Sequence, residues 1–289
     1  MSAVAPVLAP SADPAADRVN RIERSRRDWL LVLREVWAYR ELLFFLVWRD
    51  VKVRYRQTFI GILWVVLQPL LTMIVFTVIF GHLAGITDPY KDPYALFVFT
   101  GLLPWTYFSS SLAQSSNSIV GNSSLVTKIY FPRLIMPLAS VLVPIVDFLF
   151  AFGVLVCLFI YYGRTPHWHV VATPVFLGMA LLTALGVGLW LSALNVRYRD
   201  IPYTVPFLTQ LWLFLSPVIY PVALVPERFH WLLALNPMTG VIDGFRWAVL
   251  GRGVPHYDVY LTSALVSLAL LIAGLWYFKR TERRFADEI

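Results

Sequence analysis

Cysteine and charged residues are scarce in this 289-residue sequence, which has one cysteine and 14% Asp, Glu, Lys and Arg. The lone Cys157 excludes an internal disulfide and argues against a cysteine-based metal site. The phosphate-binding pattern G-x-x-x-x-G-K followed by Ser or Thr is absent, so the chain cannot hold and hydrolyse ATP by that route. The metalloprotease pattern H-E-x-x-H and the hydrolase pattern G-x-S-x-G are absent as well. We therefore expect no catalytic residue, no bound metal and no cofactor in this chain.

Long apolar runs are abundant instead, since 58% of the residues are hydrophobic. The stretch from Trp48 to Phe80 indicates the class of protein, because it joins a basic segment to an uncharged one. The uncharged part has about 21 residues, enough for a helix rising about 1.5 Å per residue to cross a hydrocarbon core of about 30 Å. Cations beside a first span remain in the cytoplasm, so we expect an integral membrane protein whose N-terminus lies inside.

The rest of the sequence alternates between apolar runs and short loops, and six transmembrane helices would use most of it. We predict spans at about 60–80, 94–113, 134–162, 170–196, 201–220 and 259–278. With this topology about 19 of the 24 Lys and Arg residues fall on cytoplasmic segments, so both termini are expected to be cytoplasmic. The same asymmetry explains the net charge of +7 without a nucleic-acid partner. The expected fold is an all-α integral membrane protein.

The segments that precede and follow the spans differ in character. Residues 1–27 are rich in Ala and Pro and predict a disordered cytoplasmic tail, and residues 285–289 predict a cytoplasmic C-terminus. Residues 28–58 predict an amphipathic interface helix that lies on the inner membrane surface and contacts lipid, with Asp50 and Arg54 paired one turn apart. The charged residues singled out on this helix are Arg49, Asp50, Lys52, Arg54 and Arg56.

Between the last two predicted spans, residues 226–251 contain two apolar pieces that are separated by Asn236 and Pro237. Each piece is shorter than the roughly 20 residues that a spanning helix needs. Irregular backbone at membrane depth survives only where protein or a watery cavity surrounds it. We therefore predict a re-entrant helical hairpin that enters from the outer side, with a pair of surface-lying interfacial helices as the alternative.

Asp147 is the one acidic residue inside a predicted span, and an ionisable group in a membrane is a functional candidate. It could be the titrating group of a proton-coupled carrier, or it could bond a neighbouring helix. Aromatic residues make up 16% of the chain, and several lie within spans or at their ends. Their flat faces suit interfacial belts and core packing, and they also suit stacking against the C–H patches of sugar rings.

Six motifs occur in series along the chain. In order they are WRDVKVRYRQTFIGILWVVLQP, PYALFVFTGLLPWTYFS, LVTKIYFPRLIMP, NVRYRDIPY, SPVIYP and LNPMTGVIDGFRW. Together they resemble the membrane subunit of type-2 ABC exporters, which move O-antigen, capsular polysaccharide and teichoic acid. The resemblance extends from about Arg40 to Arg284, so a type-2 ABC transmembrane domain is expected over residues 60–284.

The resemblance implies a homodimer that works with two copies of a separate ABC ATPase subunit, which binds the ATP and Mg. It also implies that residues 122–133 couple to the ATPase, that the first and fifth spans line a channel, and that the hairpin forms an outer gate. The implied coupling contacts are Lys128, Ile129, Tyr130, Phe131, Pro132 and Arg133. The implied channel-lining residues are Trp64, Gln68, Trp212 and Ser216, and the implied gate residues are Pro226, Asn236, Pro237 and Arg246.

By the same resemblance, the expected function is ATP-driven export of a lipid-linked, O-antigen-like polysaccharide across the inner membrane of a bacterium. The chain itself is expected to be no enzyme, because the partner hydrolyses ATP. Three alternatives stay open. They are a type-2 exporter of another cargo such as teichoic acid, a lipid or a drug, the carrier that uses Asp147, and a membrane-embedded transferase. The short loops, poor in acids and histidines, argue against the transferase.

Overall fold

The computed structural model describes residues 29–56, 59–86, 92–128, 130–251, 255–282 and 285. The predicted tail 1–27, the last four residues 286–289, the coupling residue Ile129, and residues 28, 57 and 58 of the predicted interface helix lie outside these ranges. All regular structure in the described residues is helical and none of it is strand, which confirms the all-α class.

The described residues form a chain of thirteen α-helices of very different lengths. In order they are α1 (Trp29–Ala38), α2 (Arg40–Arg56), α3 (Phe59–Phe76), α4 (Tyr94–Ser116), α5 (Ser118–Gly121), α6 (Ser123–Lys128), α7 (Ile135–Leu142), α8 (Pro144–Tyr161), α9 (Thr173–Arg197), α10 (Ile201–Leu215), α11 (His230–Leu235), α12 (Pro237–Leu250) and α13 (Tyr257–Thr281). A π-helical segment, Thr77–Leu83, extends α3, and a 3-10 segment, Trp168–Ala172, leads into α9.

Five helical segments in the described part of the chain are long and apolar enough to cross a membrane. They are Leu63–Leu83, Tyr94–Ser116, Ile135–Tyr161, Trp168–Arg197 and Tyr257–Thr281. The third combines α7 and α8, which meet at Val143, where Pro144 begins α8 in the first-turn position that tolerates a missing N–H. At the predicted fifth span, 201–220, α10 has only 15 residues, so a sixth crossing stays a prediction.

The long helices run back and forth, so their connections collect at two ends of the bundle. At the end that we call the basic end, α4, α9 and α13 terminate close to cationic side chains, and Arg133 donates a hydrogen bond to the backbone oxygen of Glu282. At the opposite end, which we call the hairpin end, α8 terminates, α9 begins beside α12, and α11 contacts α12 and α13. There Arg164 pairs with the buried carboxylate of Asp92 at 3.0 Å.

The core of the molecule is α4, which packs against α9, α8, α12 and α7. Phe99, Leu103 and Phe108 on this helix are completely buried. The most extensive packing between two helices is that of α9 on α13, which approach closely because Gly186 and Gly274 face each other. A Cβ atom at Gly274 would lie 2.1 Å from the backbone oxygen of Gly186, so only glycine fits at this crossing.

The helix predicted to lie at the membrane interface is represented by α1 and α2. Along α2, Leu46 is buried and the helix packs on α7, whereas Phe44 and Trp48 are exposed apolar residues on a helix that also carries exposed cations. This mixed surface is typical of helices at a membrane–water boundary. The position of α2 relative to a membrane stays a prediction.

Candidate functional site

The predicted coupling segment lies at the basic end, between α6 and α7. Tyr130 is 96% exposed and projects from the surface, whereas the neighbouring Phe131 is buried. Arg133 bonds the backbone of Glu282 and lies over the ring of Phe285, with its guanidinium carbon 5.8 Å from the ring centroid. The segment is therefore anchored to the residues after α13 through Arg133 and presents Tyr130 outward. Lys128 is exposed at the end of α6, and Pro132 is partly buried.

The same end also receives α2. Arg49 donates from its Nε atom to Asp50 at 2.7 Å and from Nη2 to the side-chain oxygen of Asn122 at 3.0 Å. Since Asn122 separates α5 from α6, this bond ties α2 to the element that carries the coupling segment. Lys52 and Arg56 are exposed on α2.

Asp147 lies in the first turn of α8 and is bonded from α2. Arg54 donates to its Oδ2 atom at 2.9 Å, and the hydroxyl of Tyr55 donates to its Oδ1 atom. Burial, together with the bond to this carboxylate, raises the pKa of Tyr55, so its hydroxyl stays protonated and remains a donor. Sequence reasoning paired Arg54 with Asp50, but the structure gives Arg54 a partner that is distant in sequence and gives Asp147 a cation.

The residues predicted to line a channel fall into two groups. Trp64 and Gln68 lie one turn apart on the exposed face of α3. Trp212 on α10 packs edge-on against Phe108 of α4, with ring centroids 5.0 Å apart. Ser216 is completely buried just after α10 ends.

The second group is connected to a residue predicted for the gate. The side-chain oxygen of Asn236 accepts from the indole Nε1 of Trp212 at 2.9 Å, and its amide nitrogen donates to the hydroxyl of Ser216 at 2.9 Å. The same oxygen caps α12 by accepting from the backbone N–H of Met238 at 3.1 Å, and Pro237 occupies the first helical position. Asn236 thus joins two predicted lining residues to the start of a predicted gate helix.

Arg246 is a buried cation on α12, with only 7% of its surface exposed. Its guanidinium donates to the backbone oxygens of Phe97, Pro217 and Val218 and lies 3.7 Å from the ring centroid of Phe97. These contacts hold α12 against the start of α4 and against the turn after α10. Pro226, the remaining predicted gate residue, is exposed ahead of α11.

The two halves of the predicted hairpin differ in depth and burial. Most of α12 is buried among α4, α9 and α13, whereas α11 is largely exposed. Asp243 bonds His256 and Tyr260 at the start of α13, and the N–H of Gly240 reaches the hydroxyl of Ser263 one turn further along. The N-terminal part of α12 therefore lies deeper in the bundle than its C-terminal part.

Sequence reasoning missed the residues that connect these elements, above all Tyr55, Asn122 and Asp243. An acidic residue inside a short apolar helix was the available signal for Asp243, since a carboxylate among apolar residues needs donors. Nothing in the sequence marked Tyr55, and Asn122 was implied only as the first residue of the coupling segment, not as a partner of α2. Within the described residues, no group of three or more His, Cys, Asp or Glu side chains is placed to hold a metal ion.

Comparisons with known proteins identify relatives over most of the chain. The profile of the ABC-2 type transporter family matches residues 41–250. The chain is 34% identical over 260 residues to the O-antigen export system permease protein RfbA of Myxococcus xanthus, covering 89% of this chain and 99% of the relative. It is 30% identical to the protein of the same description from Klebsiella pneumoniae, covering 86% and 94%. It is 23% identical to the polysialic acid transport protein KpsM of Escherichia coli, covering 81% and 91%.

The family profile covers the first four candidate spans, residues 122–133 and α12, and the first two relatives cover 89% and 86% of the chain. The described structure adds five helical segments suited to a membrane, which fits a multi-pass membrane protein. The chain therefore belongs to the ABC-2 type transporter family, as the membrane permease subunit of a type-2 ABC exporter.

Proposed function

We propose that this chain is the transmembrane subunit of an ATP-driven exporter that moves a lipid-linked, O-antigen-like polysaccharide from the cytoplasm across the inner membrane of a bacterium. The observation that carries the proposal is its similarity, over 89% of the chain, to a protein named as an O-antigen export permease. A relative named for polysialic acid transport supports a polysaccharide rather than a drug or lipid cargo.

The working unit in this proposal is a homodimer of the permease with two copies of a separate ATPase, which holds ATP and Mg. The missing phosphate-binding pattern in this chain supports a separate ATPase. Exposed apolar residues on α3 and α10, such as Trp64, Leu71, Phe207 and Leu211, support a surface that lipid or a second copy covers.

The proposed topology has six spans, with α10 and the following turn as the fifth crossing, and with both termini in the cytoplasm. The cations at the basic end support a cytoplasmic location for that end. The hairpin end is then the outer end. The deep N-terminal part of α12 supports a re-entrant outer gate over residues 226–251.

Coupling is proposed to start at Tyr130. Because Arg133, just ahead of α7, is held by the chain's own C-terminal part, a push on Tyr130 would act on α7 and α13 together. The bond between Arg49 and Asn122 would carry the same movement to α2, the proposed interface helix. ATP hydrolysis must supply the direction of transport, since binding alone shifts states only by its differential affinity.

At the hairpin end, the proposed channel-lining residues Trp212 and Ser216 move together with α12, the proposed gate helix. Asn236 bonds both Trp212 and Ser216, so a displacement of α12 would reposition side chains of the fifth crossing. Aromatic side chains such as Trp64 and Trp212 would give a passing polymer weak, repeated contacts rather than one tight site.

The test is to co-express the permease with the ATPase encoded beside it and to purify the complex through a tag on the permease. We expect a complex of two permeases and two ATPases. A Tyr130→Ala variant should bind the ATPase about tenfold more weakly, which is the loss of a modest interface hot spot of about 1.4 kcal/mol. A matched Tyr161→Ala variant removes an exposed tyrosine at the hairpin end and should leave binding unchanged.

Export of the cell's surface polysaccharide is measured with the same variants. Loss of export with Tyr130→Ala, and its retention with Tyr161→Ala, is the expected result. A permease that purifies without any ATPase, or normal export after deletion of this gene, would contradict the proposal.

A further inference from the structure

A cavity of about 350 Å³ lies at the hairpin end, between α11, α12 and the start of α13. Cavities of about 300–1,000 Å³ are typical of sites for small molecules. The polar and aromatic residues of its lining are His230, Trp231, Thr239, Asp243, His256 and Asp258.

Thr239 contributes a hydroxyl that lacks a partner. Its Oγ1 atom is buried and has no hydrogen-bond partner among the described residues. Elsewhere in the bundle Thr183 and Thr281 donate to the carbonyl four residues earlier, as buried or half-buried helical threonines usually do. Thr239 cannot do this, because α12 begins at Pro237 and residue 235 precedes its cap. A buried hydroxyl is rarely left unpaired, so this one indicates a ligand with its own donor and acceptor groups.

The carboxylate of Asp243 has spare capacity as well. His256 donates to its Oδ2 atom at 2.9 Å, and the hydroxyl of Tyr260 donates to the same atom at 3.1 Å. A carboxylate has about four acceptor positions on two oxygens, so the Oδ1 side can accept from a ligand. Asp258 adds a second carboxylate to the lining, which disfavours an anionic ligand by like-charge repulsion. The polar lining therefore suits a neutral molecule with several hydroxyl groups.

The indole of Trp231 adds a flat apolar surface to the lining, and 64% of this residue is exposed. The negative face of an indole attracts the positively polarised C–H groups on one side of a sugar ring. We propose that this cavity binds one sugar unit of a saccharide, with Trp231 stacking on the ring and with Thr239 and Asp243 bonding its hydroxyls. The source of that sugar, the exported polysaccharide as it leaves the channel, rests on the proposed function.

Sugar binding is tested on the full permease–ATPase complex in lipid nanodiscs by saturation-transfer NMR. The probe is the oligosaccharide mixture released by mild acid from the source cell's own surface polysaccharide. We expect saturation transfer to sugar ring protons with the unaltered complex. The transfer should fall at least threefold with Thr239→Val and with Asp243→Asn, and should be retained with Thr239→Ser, which keeps the hydroxyl.

Two controls match these changes at the same end of the molecule. Thr173→Val removes a hydroxyl that already donates to the backbone of Val170 at 2.7 Å, and it should leave transfer unchanged. Trp231→Ala should abolish transfer, whereas Trp168→Ala, which removes another indole that is 73% exposed, should not.

Absence of saturation transfer to the unaltered complex would overturn the site. Transfer that is as strong with Thr239→Val and Trp231→Ala as with the unaltered complex would also overturn it, because the sugar would then not bind in the cavity, which would hold water only. Polysaccharide export is scored separately in cells. A complex that exports but shows no transfer overturns this site alone. A complex that binds sugar through Thr239 and Trp231 but does not export supports the site and contradicts the proposed function.

Discussion

The spans α4 and α3 differ in burial, and the less apolar of the two is the more buried. In α4, which is the least apolar of the five candidate spans, 83% of the most apolar stretch is buried, whereas in the strongly apolar segment Leu63–Leu83 the share is 11%. A water-soluble protein would place its most apolar helix inside. This protein exposes the strongly apolar segment Leu63–Leu83 and buries the less apolar α4, as expected where the surroundings are themselves apolar.

The buried side of this comparison depends on satisfied polar groups. On α4, Thr100 donates to the backbone of Leu96 at 2.9 Å, and Tyr107 reaches the backbone of Val141 on α7 at 3.2 Å. The first bond satisfies a buried hydroxyl within α4, whereas the second joins two helices where a hydrophobic driving force between them is lacking. Changes in the core should therefore cost more than equal changes on the exposed faces, and four substitutions test this.

The largest effect is expected for Arg246→Met. Methionine fills a similar volume but leaves the carbonyls of Pro217 and Val218 without their donor, at about 1–3 kcal/mol for each buried group. We expect a loss of about 3–5 kcal/mol in the free energy of unfolding, seen as a large drop in the thermal midpoint of the purified permease. Arg228→Met, which removes an exposed arginine, should change the midpoint little. Equal midpoints for the two variants would contradict the role of Arg246 in the core.

The next largest loss of stability is expected for a glycine at a helix crossing, Gly274, and Gly153 is the glycine compared with it. Gly274→Ala would place a methyl group 2.1 Å from the backbone oxygen of Gly186 and force α9 and α13 apart, at a cost of about 1–3 kcal/mol. A methyl group at Gly153 on α8 meets nothing within 4 Å. Gly153→Ala should be neutral or stabilise by about 0.5–1 kcal/mol, since alanine loses less conformational entropy in a helix. Thermal midpoints that move in the same direction would show that α9 and α13 are not packed closely.

How the spans are packed could not be read from the sequence, although their existence could. Runs of about 20 or more predominantly apolar residues predicted five segments that the structure contains, because length and composition suffice for that. Hydropathy does not tell whether an apolar residue faces lipid or protein, so α4 was not recognised as the core. The break at Val143 was likewise missed, although Pro144 marks it.

The candidate site was predictable in part for a similar reason. The sequence predicted a coupling segment and a gate through motifs, but it gave no indication that Tyr130 is exposed while Phe131 is buried. Asp147 and Tyr55 are 92 positions apart, and no periodicity relates residues at that separation. Tertiary contacts of this kind decide which residues act on a partner and which hold the chain together.

A smaller loss of stability is expected when one hydrogen bond between side chains of two core helices is removed. Thr183 on α9 and Ser267 on α13 lie 2.8 Å apart, oxygen to oxygen. Thr183→Val removes this bond at a cost of about 0.6 kcal/mol, the usual value for hydrogen bonds between membrane helices. Thr72→Val on α3 removes a hydroxyl that bonds only its own helix, at Gln68, and should cost less. A larger loss for Thr72→Val in chemical unfolding would reverse the comparison.

The smallest effect on stability is expected for Asp147→Asn, at the boundary between the buried core and the exposed faces. Arg54 is 37% exposed, so solvent screens its pairing with Asp147, and such pairs are worth about 0.2–1 kcal/mol. The asparagine oxygen can still accept from Tyr55 or from Arg54, so the link between α2 and α8 should survive. We expect a nearly unchanged thermal midpoint, normal ATP hydrolysis by the complex and normal polysaccharide export.

This substitution also separates the exporter from the proton-coupled carrier. A carrier that titrates Asp147 must stop when the carboxylate becomes an amide, whereas an exporter driven by a separate ATPase has no need of that proton. Arg54→Gln is the matched control, because it breaks the same ion pair and leaves the carboxylate in place. Export that fails with Asp147→Asn but continues with Arg54→Gln, in a complex that still folds and hydrolyses ATP, would assign the proton to the transport step. Equal export by both variants leaves Asp147 as one of the residues that attach α2 to the bundle, beside Asn122.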